Sequence, residues 1–288
     1  MRHLCAALGV AGVLTLAGAA ATPPQKVDTP SRKVDTSPRA VVTAAASYVA
    51  DYQQQFAFLI ADEHYRQTRL TPDGKPYEER TMIGELFLTY MAADRDWIAV
   101  HDIAEVNGRP VPDREDLRQL LQKGAEIRGI TQKVASRNAR FNIGQVFRNF
   151  NEPTLALRVL DDDPLRHFSF DRRRVAPEGE ATLVTLSFRE RRRPTIVRGE
   201  GARNIESRGE LTIEAGTGRI RRTLFEVADR SLRARLETTY AFDERLNLWV
   251  PSLFTERYDL SRPGEKETVR CEATYTNYRR FLTRGRIK

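Results

Sequence analysis

The sequence predicts an α+β fold in which a curved antiparallel β-sheet forms a half-barrel with helices packed in its concave face. One strand-like segment follows another between residues 181 and 281. Along the segment 231–243, apolar and charged side chains alternate, as they do when an extended chain buries one face. Short connections between the segments predict antiparallel neighbours, and two apolar helical segments are available to cover the sheet.

The first 21 residues predict a signal peptide. A positive start, Met1-Arg2-His3, precedes an uncharged run from Leu4 to Ala20 that ends in small residues. A retained membrane anchor is the alternative, because the run approaches the roughly 20 residues that span a bilayer. Cys5 precedes the run instead of following it, so lipid attachment is not expected. We therefore expect a periplasmic or secreted protein that is soluble after cleavage.

Residues 22–37 predict a flexible basic linker. A seven-residue unit occurs twice in tandem, from Lys26 to Arg32 and from Lys33 to Arg39. Each copy carries a single apolar side chain and a proline, which is too little to form a packed seam. The remaining residues, 38–288, are predicted to form a single half-barrel domain.

The first half of this domain alternates between helical and extended patterns. Ser37 is a predicted N-cap for a helix that runs to about residue 60, and residues 59–69 then follow an ambiguous pattern that is compatible with a first strand. Residues 79–91 and 96–106 predict a hairpin. Asp113 is the predicted cap of the next helix, and a helical pattern continues from Ile127 to Phe150. Residues 155–160 predict an extended segment.

The second half predicts a meander of six strands, with a tight turn at Ala215-Gly216-Thr217-Gly218. Within 231–243, one face is predicted to carry Leu232, Ala234, Leu236, Tyr240 and Phe242, and the other Arg233, Arg235 and Glu237. Pro251 predicts an edge strand or a bulge, because proline cannot donate to a sheet. The six predicted strands cover residues 181–190, 208–215, 219–228, 231–243, 247–259 and 267–281.

The formal net charge of +8 favours anionic partners. For an exported protein these would be the phospholipid headgroups of an anionic membrane surface, lipopolysaccharide or a polyanionic wall polymer. Envelope proteins are further candidate partners, and no nucleic acid is expected. Most arginines are predicted to form a solvated sheet face, because they alternate with acids along the strands. The run before Pro194 is the exception, and it predicts an anion-contacting edge formed by Arg189, Arg191, Arg192 and Arg193.

Enzymatic function is not predicted. The chain has no serine elbow, zinc helix or phosphate-binding loop. His64, His101 and His167 lie on separate segments, and the doublet His101-Asp102 does not form a pair because adjacent strand residues face opposite ways. No cofactor and no metal are predicted. Cys271 is predicted to be a buried small residue, with a reactive thiol or an intermolecular bridge as the alternative.

A family resemblance rests on the segments Gly209-Glu-Leu-Thr-Ile-Glu214 and Thr217-Gly-Arg-Ile220. They resemble the G-x-L-x-I-D, T-G-x-I hairpin of bacterial Lol-type outer-membrane lipoprotein carriers and their uncharacterised relatives. Residues 246–251 and 273–281 resemble sheet sequences of the same group. Glu214 replaces the usual aspartate, and residues 189–208 have no counterpart. The resemblance implies an unclosed barrel with an apolar pocket for acyl chains, and it supplies no catalytic residue.

We therefore predict an exported envelope protein that binds a lipid, a lipoprotein acyl chain or another amphiphile between sheet and helices. The alternative is a protein–protein interaction module of the envelope with a filled core. Plain core packing is likewise the alternative for each candidate pocket residue. Trp249 is in addition a candidate gate. The candidate lining residues are Leu211, Ile213, Phe225, Leu236, Tyr240, Phe242, Trp249 and Tyr275.

Overall fold

The computed structural model describes residues 34–55, 58–122, 127–146, 148, 151–161 and 163–281. From Val34 onward the chain forms one compact unit. The predicted signal peptide and nearly all of the predicted linker lie outside the described residues. No helix in the described part of the chain is both long and apolar enough to cross a membrane.

The architecture is an open antiparallel sheet of 11 strands. The neighbours in order are β4, β3, β2, β1, β13, β12, β11, β10, β9, β6 and β5, and β7 and β8 form a separate two-stranded ribbon. The strands are β1 Leu59–Leu70, β2 Pro76–Met91, β3 Asp96–Val106, β4 Arg109–Pro110, β5 Phe168–Glu178, β6 Ala181–Glu190, β7 Val197–Arg198, β8 Asn204–Ile205, β9 Ser207–Glu214, β10 Ile220–Ala228, β11 Leu232–Asp243, β12 Leu248–Arg262 and β13 Glu265–Arg280.

The predicted fold class is confirmed. All six strands predicted in the second half are present with boundaries shifted by at most three residues, and the predicted hairpin corresponds to β2 and β3. The ambiguous segment after the first helix is β1. It pairs with the final strand, β13, on one side and with β2 on the other. The two halves of the domain are therefore joined through the pairing of β1 with β13.

Helix α1, Pro38–Gln55, covers the face of the sheet that carries the main core, which we call the core face. The backbone N–H of Ala40 donates to Ser37 Oγ at 3.4 Å, so Ser37 caps the helix as predicted. The buried side chains are Val41, Val42, Ala45, Val49 and Tyr52. Their spacing of three and four residues places them on one side of the helix, against the sheet.

The glycines of the β9–β10 turn allow α1 to approach closely. Gly218 has a φ of +74°, and a Cβ atom at this position would lie 2.1 Å from the backbone oxygen of Ala44 in α1. No other residue type fits this contact without moving the helix. Gly218 of the family-like hairpin is thus required by helix packing.

The second helical region differs from its prediction. It consists of α2, Leu117–Gln122, and α3, Ile127–Asn138, followed by a short 3₁₀ turn at Ala139–Phe141. Asp116, not Asp113, caps α2, because its carboxylate accepts from the N–H groups of Arg118 and Gln119. Asp113 instead forms an ion pair with Arg140. Phe147 and Phe150 lie outside the described residues.

These two helices lie on the side of the sheet opposite to α1, which we call the outer face. Alternation along β3 places Trp97 in the main core, whereas Ile98 and Val100 belong to a second cluster. This cluster joins strands β1 to β3 to the two helices, through Phe58, Ile60, Phe87, Ile98, Val100, Leu117, Leu121, Ile130 and Val134. The sheet is therefore covered on both faces at this end.

Two segments were assigned wrongly from the sequence. Residues Leu155–Leu160, predicted to be extended, form a buried 3₁₀ helix, because a short apolar run has no periodicity that separates the two states. The edge strand β5 was not predicted. Its charged stretch from Asp171 to Arg174 is exposed, which obscures the alternation expected of a strand.

The face predicted for Phe242 is also wrong. Its side chain is 46% exposed, whereas Leu236 and Tyr240 are buried as predicted. The register of β11 with β12 shifts between Thr239 and Tyr240, next to Pro251, so the predicted bulge is present and it interrupts the alternation. The ring of Phe242 packs against Trp249, with ring centroids 5.9 Å apart.

Candidate functional site: an amphipathic cleft

A cleft of about 490 Å³ lies beside strand β3 and is lined from both faces of the sheet, by Met82 and Ile103 of the main core and by Val100 and Val134 of the second cluster. Its apolar wall is formed by Met82, Ile83, Ala99, Val100, Ile103, Val134, Ala135 and Ala139. Its polar side chains include Glu63, Tyr65, His101, Asn138, Asn142, Arg148, Asn151 and Glu152. The volume falls in the range of small-molecule sites, and an apolar wall with a few polar groups is the usual composition of such sites.

The strand register explains how the polar end of the cleft forms. Glu63 in β1 stands opposite Gly84 in β2, and Gly84 stands opposite Ile103 in β3. Because Gly84 has no side chain, Glu63 reaches over β2 to His101 on β3. A Cβ atom at Gly84 would lie 2.4 Å from the backbone oxygen of Asp102, so a side chain does not fit here.

His101 and Glu63 form a buried ion pair. The Nδ1 atom of His101 lies 2.8 Å and 2.9 Å from the two carboxylate oxygens of Glu63. Burial alone would lower the pKa of His101, but the attraction and hydrogen bond of Glu63 raise it to about 9. The buried Nε2 atom of His101 makes no well-formed hydrogen bond. A weaker interaction with the backbone of Asn151 also raises the pKa of the ring.

Glu152 is the second ionisable group of the cleft. Burial raises its pKa to about 7, and the nearby positive charge of His101 opposes this shift. The buried Oε2 atom of Glu152 has no hydrogen-bond partner. The cleft therefore contains one buried donor, His101 Nε2–H, and one buried acceptor, Glu152 Oε2, that lack well-formed hydrogen bonds, and both lie beside an apolar wall.

A hydrogen-bonded network supports the floor beneath these two groups. Tyr65 donates to Glu256 Oε1 at 2.8 Å, and Tyr258 donates to the other oxygen of Glu256. Arg148 donates to Cys271 Sγ at 2.8 Å and to Gln67 Oε1 at 2.5 Å. These contacts engage both terminal nitrogens of Arg148 and hold its guanidinium group at the cleft, whereas its buried Nε atom has no hydrogen-bond partner.

Cys271 is buried within this network, and its burial lowers the reactivity of its thiol. The residue is 4% exposed, and burial raises the pKa of its thiol to about 12. The thiolate, which is the reactive form, is therefore scarce at neutral pH. This supports the expectation of a buried small residue over a reactive thiol.

The α3 wall of the cleft is attached to β3 by polar contacts. The carboxylate of Asp102 is fully buried on the outer face, where Arg114 donates to both oxygens at 3.2 Å and 2.9 Å. Arg137 of α3 lies 3.5 Å from the same carboxylate, and Asn138 donates to the backbone oxygen of His101. The adjacent residues His101 and Asp102 thus point to opposite faces of the sheet. His101 pairs with Glu63 on the core face, and Asp102 binds Arg114 and Arg137 on the outer face.

The structure brings six of the eight predicted lining residues together in the main core, and none of the six lines this cleft, although Tyr275 stands opposite Glu63 in the β1–β13 pair. They are each at most 5% exposed and include Leu211, Ile213, Phe225, Leu236, Tyr240 and Tyr275. Trp249 is half-buried, with the guanidinium carbon of Arg221 4.0 Å from its ring centroid. Of the predicted anion-contacting residues, Arg189 lies on the outer face of β6, and Arg191, Arg192 and Arg193 are exposed just beyond it.

The sequence signal for the observed cleft was Gly84, an isolated glycine within a strand, which marks a close approach or a bulge. His101 was considered only with its neighbour Asp102, whereas its partner Glu63 lies two strands away. Among the residues that the structure describes, no group of three or more His, Cys, Asp or Glu side chains is arranged to hold a metal ion.

Fold and site together define an open-sheet protein with an amphipathic cleft. No protein-family model matches the chain, and no curated protein matches it. It is similar to the crystal structure of a DUF1329 family protein from Desulfovibrio piger, with 9% identity, a TM-score of 0.42 and coverage of 87% of this chain and 96% of that one.

A second similar structure is a putative outer membrane lipoprotein-sorting protein domain from Vibrio parahaemolyticus. It has 9% identity and a TM-score of 0.33, and the match covers 83% of this chain and 92% of that one. At this level of similarity, the two structures assign neither an activity nor a ligand to this chain.

Proposed function

We propose that this protein is exported to the cell envelope and binds one amphiphilic molecule, a lipid or an acylated peptide, in the cleft beside β3. The observation that carries the proposal is the division of the cleft into an apolar wall and a polar end. An acyl chain needs no hydrogen-bond partner and gains about 25 cal/mol for each Å² of apolar surface removed from water.

The polar end supplies the complementary contacts. The ring of His101 offers Nε2–H as a donor, and Glu152 Oε2 offers an acceptor or, when protonated, a donor. A ligand head that carries both a donor and an acceptor would satisfy two buried groups at once. Leaving such groups unsatisfied costs about 1–3 kcal/mol each, so their pairing favours an amphiphile over a plain hydrocarbon.

Direct extraction tests the proposal. The purified protein is extracted with organic solvent, and the extract is analysed by mass spectrometry; stoichiometric lipid supports carriage. In parallel, a fluorescent fatty-acid probe is titrated into three proteins: wild type, Ala135→Trp and Lys133→Trp. Ala135 lines the cleft from an exposed position on α3, so a tryptophan there blocks the cleft with little risk to folding.

Lys133 is the matched control, because it lies on the same helix, outside the cleft, in an exposed ion pair with Glu115. We expect Ala135→Trp to weaken probe binding about tenfold or more. Lys133→Trp should bind like wild type. A protein that contains no lipid and binds the probe equally well in all three forms would refute the proposal.

An interaction module of the envelope is the second candidate. The observation in its favour is the burial of the six residues named above, which are each at most 5% exposed within the main core. This candidate predicts a ligand-free protein that shows no response to the probe. The extraction experiment therefore separates the two candidates.

A further inference from the structure

One line of paired residues across the outer face of the sheet carries five arginines. Arg189 of β6 stands opposite Arg208 of β9, which stands opposite Glu226 of β10. Glu226 is followed by an arginine on each of the next three strands. We call this set the arginine row: Arg189, Arg208, Arg235, Arg257 and Arg270.

The row is long and accessible. Neighbouring strands are about 4.8 Å apart, so the five strand spacings from Arg189 to Arg270 cover about 24 Å. Arg189, Arg208, Arg235 and Arg270 are exposed, and Arg257 is half-buried. Their side chains leave the sheet on the side away from α1, because their strand neighbours at alternate positions are the buried residues of the main core.

Carboxylates compensate the row only in part. Glu226 pairs with Arg208 at 3.2 Å and with Arg235 at 3.1 Å. Glu237 also lies 3.6 Å from Arg235, and Asp259 pairs with Arg257 at 2.8 Å. Among the described residues, no carboxylate lies within 4.0 Å of the guanidinium groups of Arg189 or Arg270. The parallel line of residues next to the row carries Glu210, Glu237 and Glu272.

This arrangement costs stability. Arginine stands directly opposite arginine at three places, where Arg189 meets Arg208 and where Arg257 meets Arg235 and Arg270. Like charges placed opposite each other on a sheet are unfavourable.

The row lies in two adjoining grooves. One groove of about 650 Å³ contains Arg189, Arg208, Arg235 and Arg257. Residues 203–206, which include strand β8, line one end of this groove. The other, of about 600 Å³, contains Arg235, Arg257 and Arg270 and is bounded by residues of the β1–β2 turn. A chain-like ligand fits such a recess, whereas a flat membrane surface would contact protruding residues instead.

We propose that the arginine row binds an extended acidic polysaccharide, with its chain across the strands. Successive sugar rings of an extended polysaccharide are separated by nearly the same distance as neighbouring strands. Three consecutive acidic groups can therefore meet Arg235, Arg257 and Arg270, whereas Glu226 occupies the strand between Arg235 and Arg208. The planar guanidinium fork binds carboxylate, sulfate or phosphate groups through two parallel hydrogen bonds. This site is separate from the cleft and does not depend on the proposed function.

The test compares two variants with equal loss of charge. In the row variant, Arg208, Arg235, Arg257 and Arg270 are changed to glutamine. In the control variant, the same change is made at Arg109, Arg172, Arg262 and Arg280, which are exposed and lie outside the row. Binding of a labelled oligogalacturonate long enough to cover the row is measured by fluorescence anisotropy at several salt concentrations.

We expect the row variant to bind about tenfold or more weakly than wild type, and the control variant within about twofold of wild type. Circular dichroism and thermal melts verify that both variants are folded. An equal loss in the two variants would overturn the proposal, because it would show that net charge alone attracts the polymer. No binding by wild type would overturn it as well.

A second experiment measures binding of the protein to lipid vesicles. Vesicles that contain phosphatidylglycerol, compared with neutral phosphatidylcholine vesicles, test an anionic membrane as the partner of the row. Row-dependent binding to the anionic vesicles without binding to oligogalacturonate would replace the polysaccharide by a membrane surface. The cleft-blocking variant Ala135→Trp should bind oligogalacturonate like wild type, which keeps this result independent of the cleft.

Discussion

Glu63 and His101 form an ion pair across two strands because the residue between them on the core face is Gly84. Glu63 is only 3% exposed, so the pair exists in a poorly solvated part of the sheet. A buried pair of this kind is costly to break, because the remaining charge has no partner. The pair thus fixes the polar end of the cleft and makes the protonation state of His101 depend mainly on Glu63, with smaller effects of Glu256 and the Asn151 backbone.

Glu63→Gln should lower the pKa of His101 well below about 9, because burial is then opposed only by the weaker effects of Glu256 and the Asn151 backbone. NMR titration of the imidazole Cε1–H signal measures this directly. The matched control is Glu272→Gln, at an exposed ion pair with Arg66. A His101 pKa that stays near 9 in Glu63→Gln would contradict the assigned pair.

The same pair predicts how stability depends on pH. The pKa of His101 is higher in the folded protein than in the unfolded chain, so its contribution is fully present below about pH 6.5 and is lost as the pH rises through about 9. The loss should amount to about 2–4 kcal/mol. Urea unfolding at pH 6 and pH 9.5 measures it, and Glu63→Gln should remove most of the difference. An equal loss in wild type and variant would exclude the pair as its source.

Glu152→Gln should stabilise the protein near neutral pH. The raised pKa of Glu152, about 7, means that its contribution is present below about pH 4.5 and is lost as the pH rises through about 7. Glutamine keeps the shape and carries no charge, so the variant should gain about 1–3 kcal/mol relative to wild type at pH 8 and little at pH 4.5. Thermal melts at the two pH values test this. A gain that is equal at both would contradict the titration of Glu152.

Gly84→Ala should destabilise the protein by about 1–3 kcal/mol, because the new Cβ atom would meet the Asp102 backbone oxygen at 2.4 Å. It should also weaken probe binding, since Gly84 lines the cleft. The control is Gly264→Asn, at a turn position with φ +78° and no atom within 4 Å of the added Cβ, where asparagine is tolerated. Equal stability of Gly84→Ala and wild type in urea unfolding would show that the strand pair adapts.

Arg270→Thr should raise stability at low salt. The change removes a charge that faces Arg257, and threonine suits a strand. We expect a gain of about 0.2–1 kcal/mol that shrinks in 1 M salt, where charges are screened. Urea unfolding at the two salt concentrations measures it. A gain that does not depend on salt would assign the effect to strand propensity instead of repulsion.

The sequence by itself determined the fold class, six late strands, the first hairpin and the Ser37 cap. These features depend on alternation, turn residues and capping groups, which are local and which a single segment displays completely. The β9–β10 hairpin illustrates this, because Gly216 and Gly218 carry the positive φ values that the turn requires. Short segments without a clear period, such as residues 155–160, were beyond such reasoning.

Only the tertiary structure decided where the cleft lies and which residues form it. Glu63, Gly84 and His101 are far apart along the chain, and their meeting depends on the register of three strands. The arginine row likewise forms only because the strand register places one arginine of each strand opposite the next. Along any single strand, the arginine of the row is just one of several polar residues that alternate with buried ones. Pairing between strands is a long-range property, so periodicity tells which face a side chain occupies and does not tell which side chain it meets.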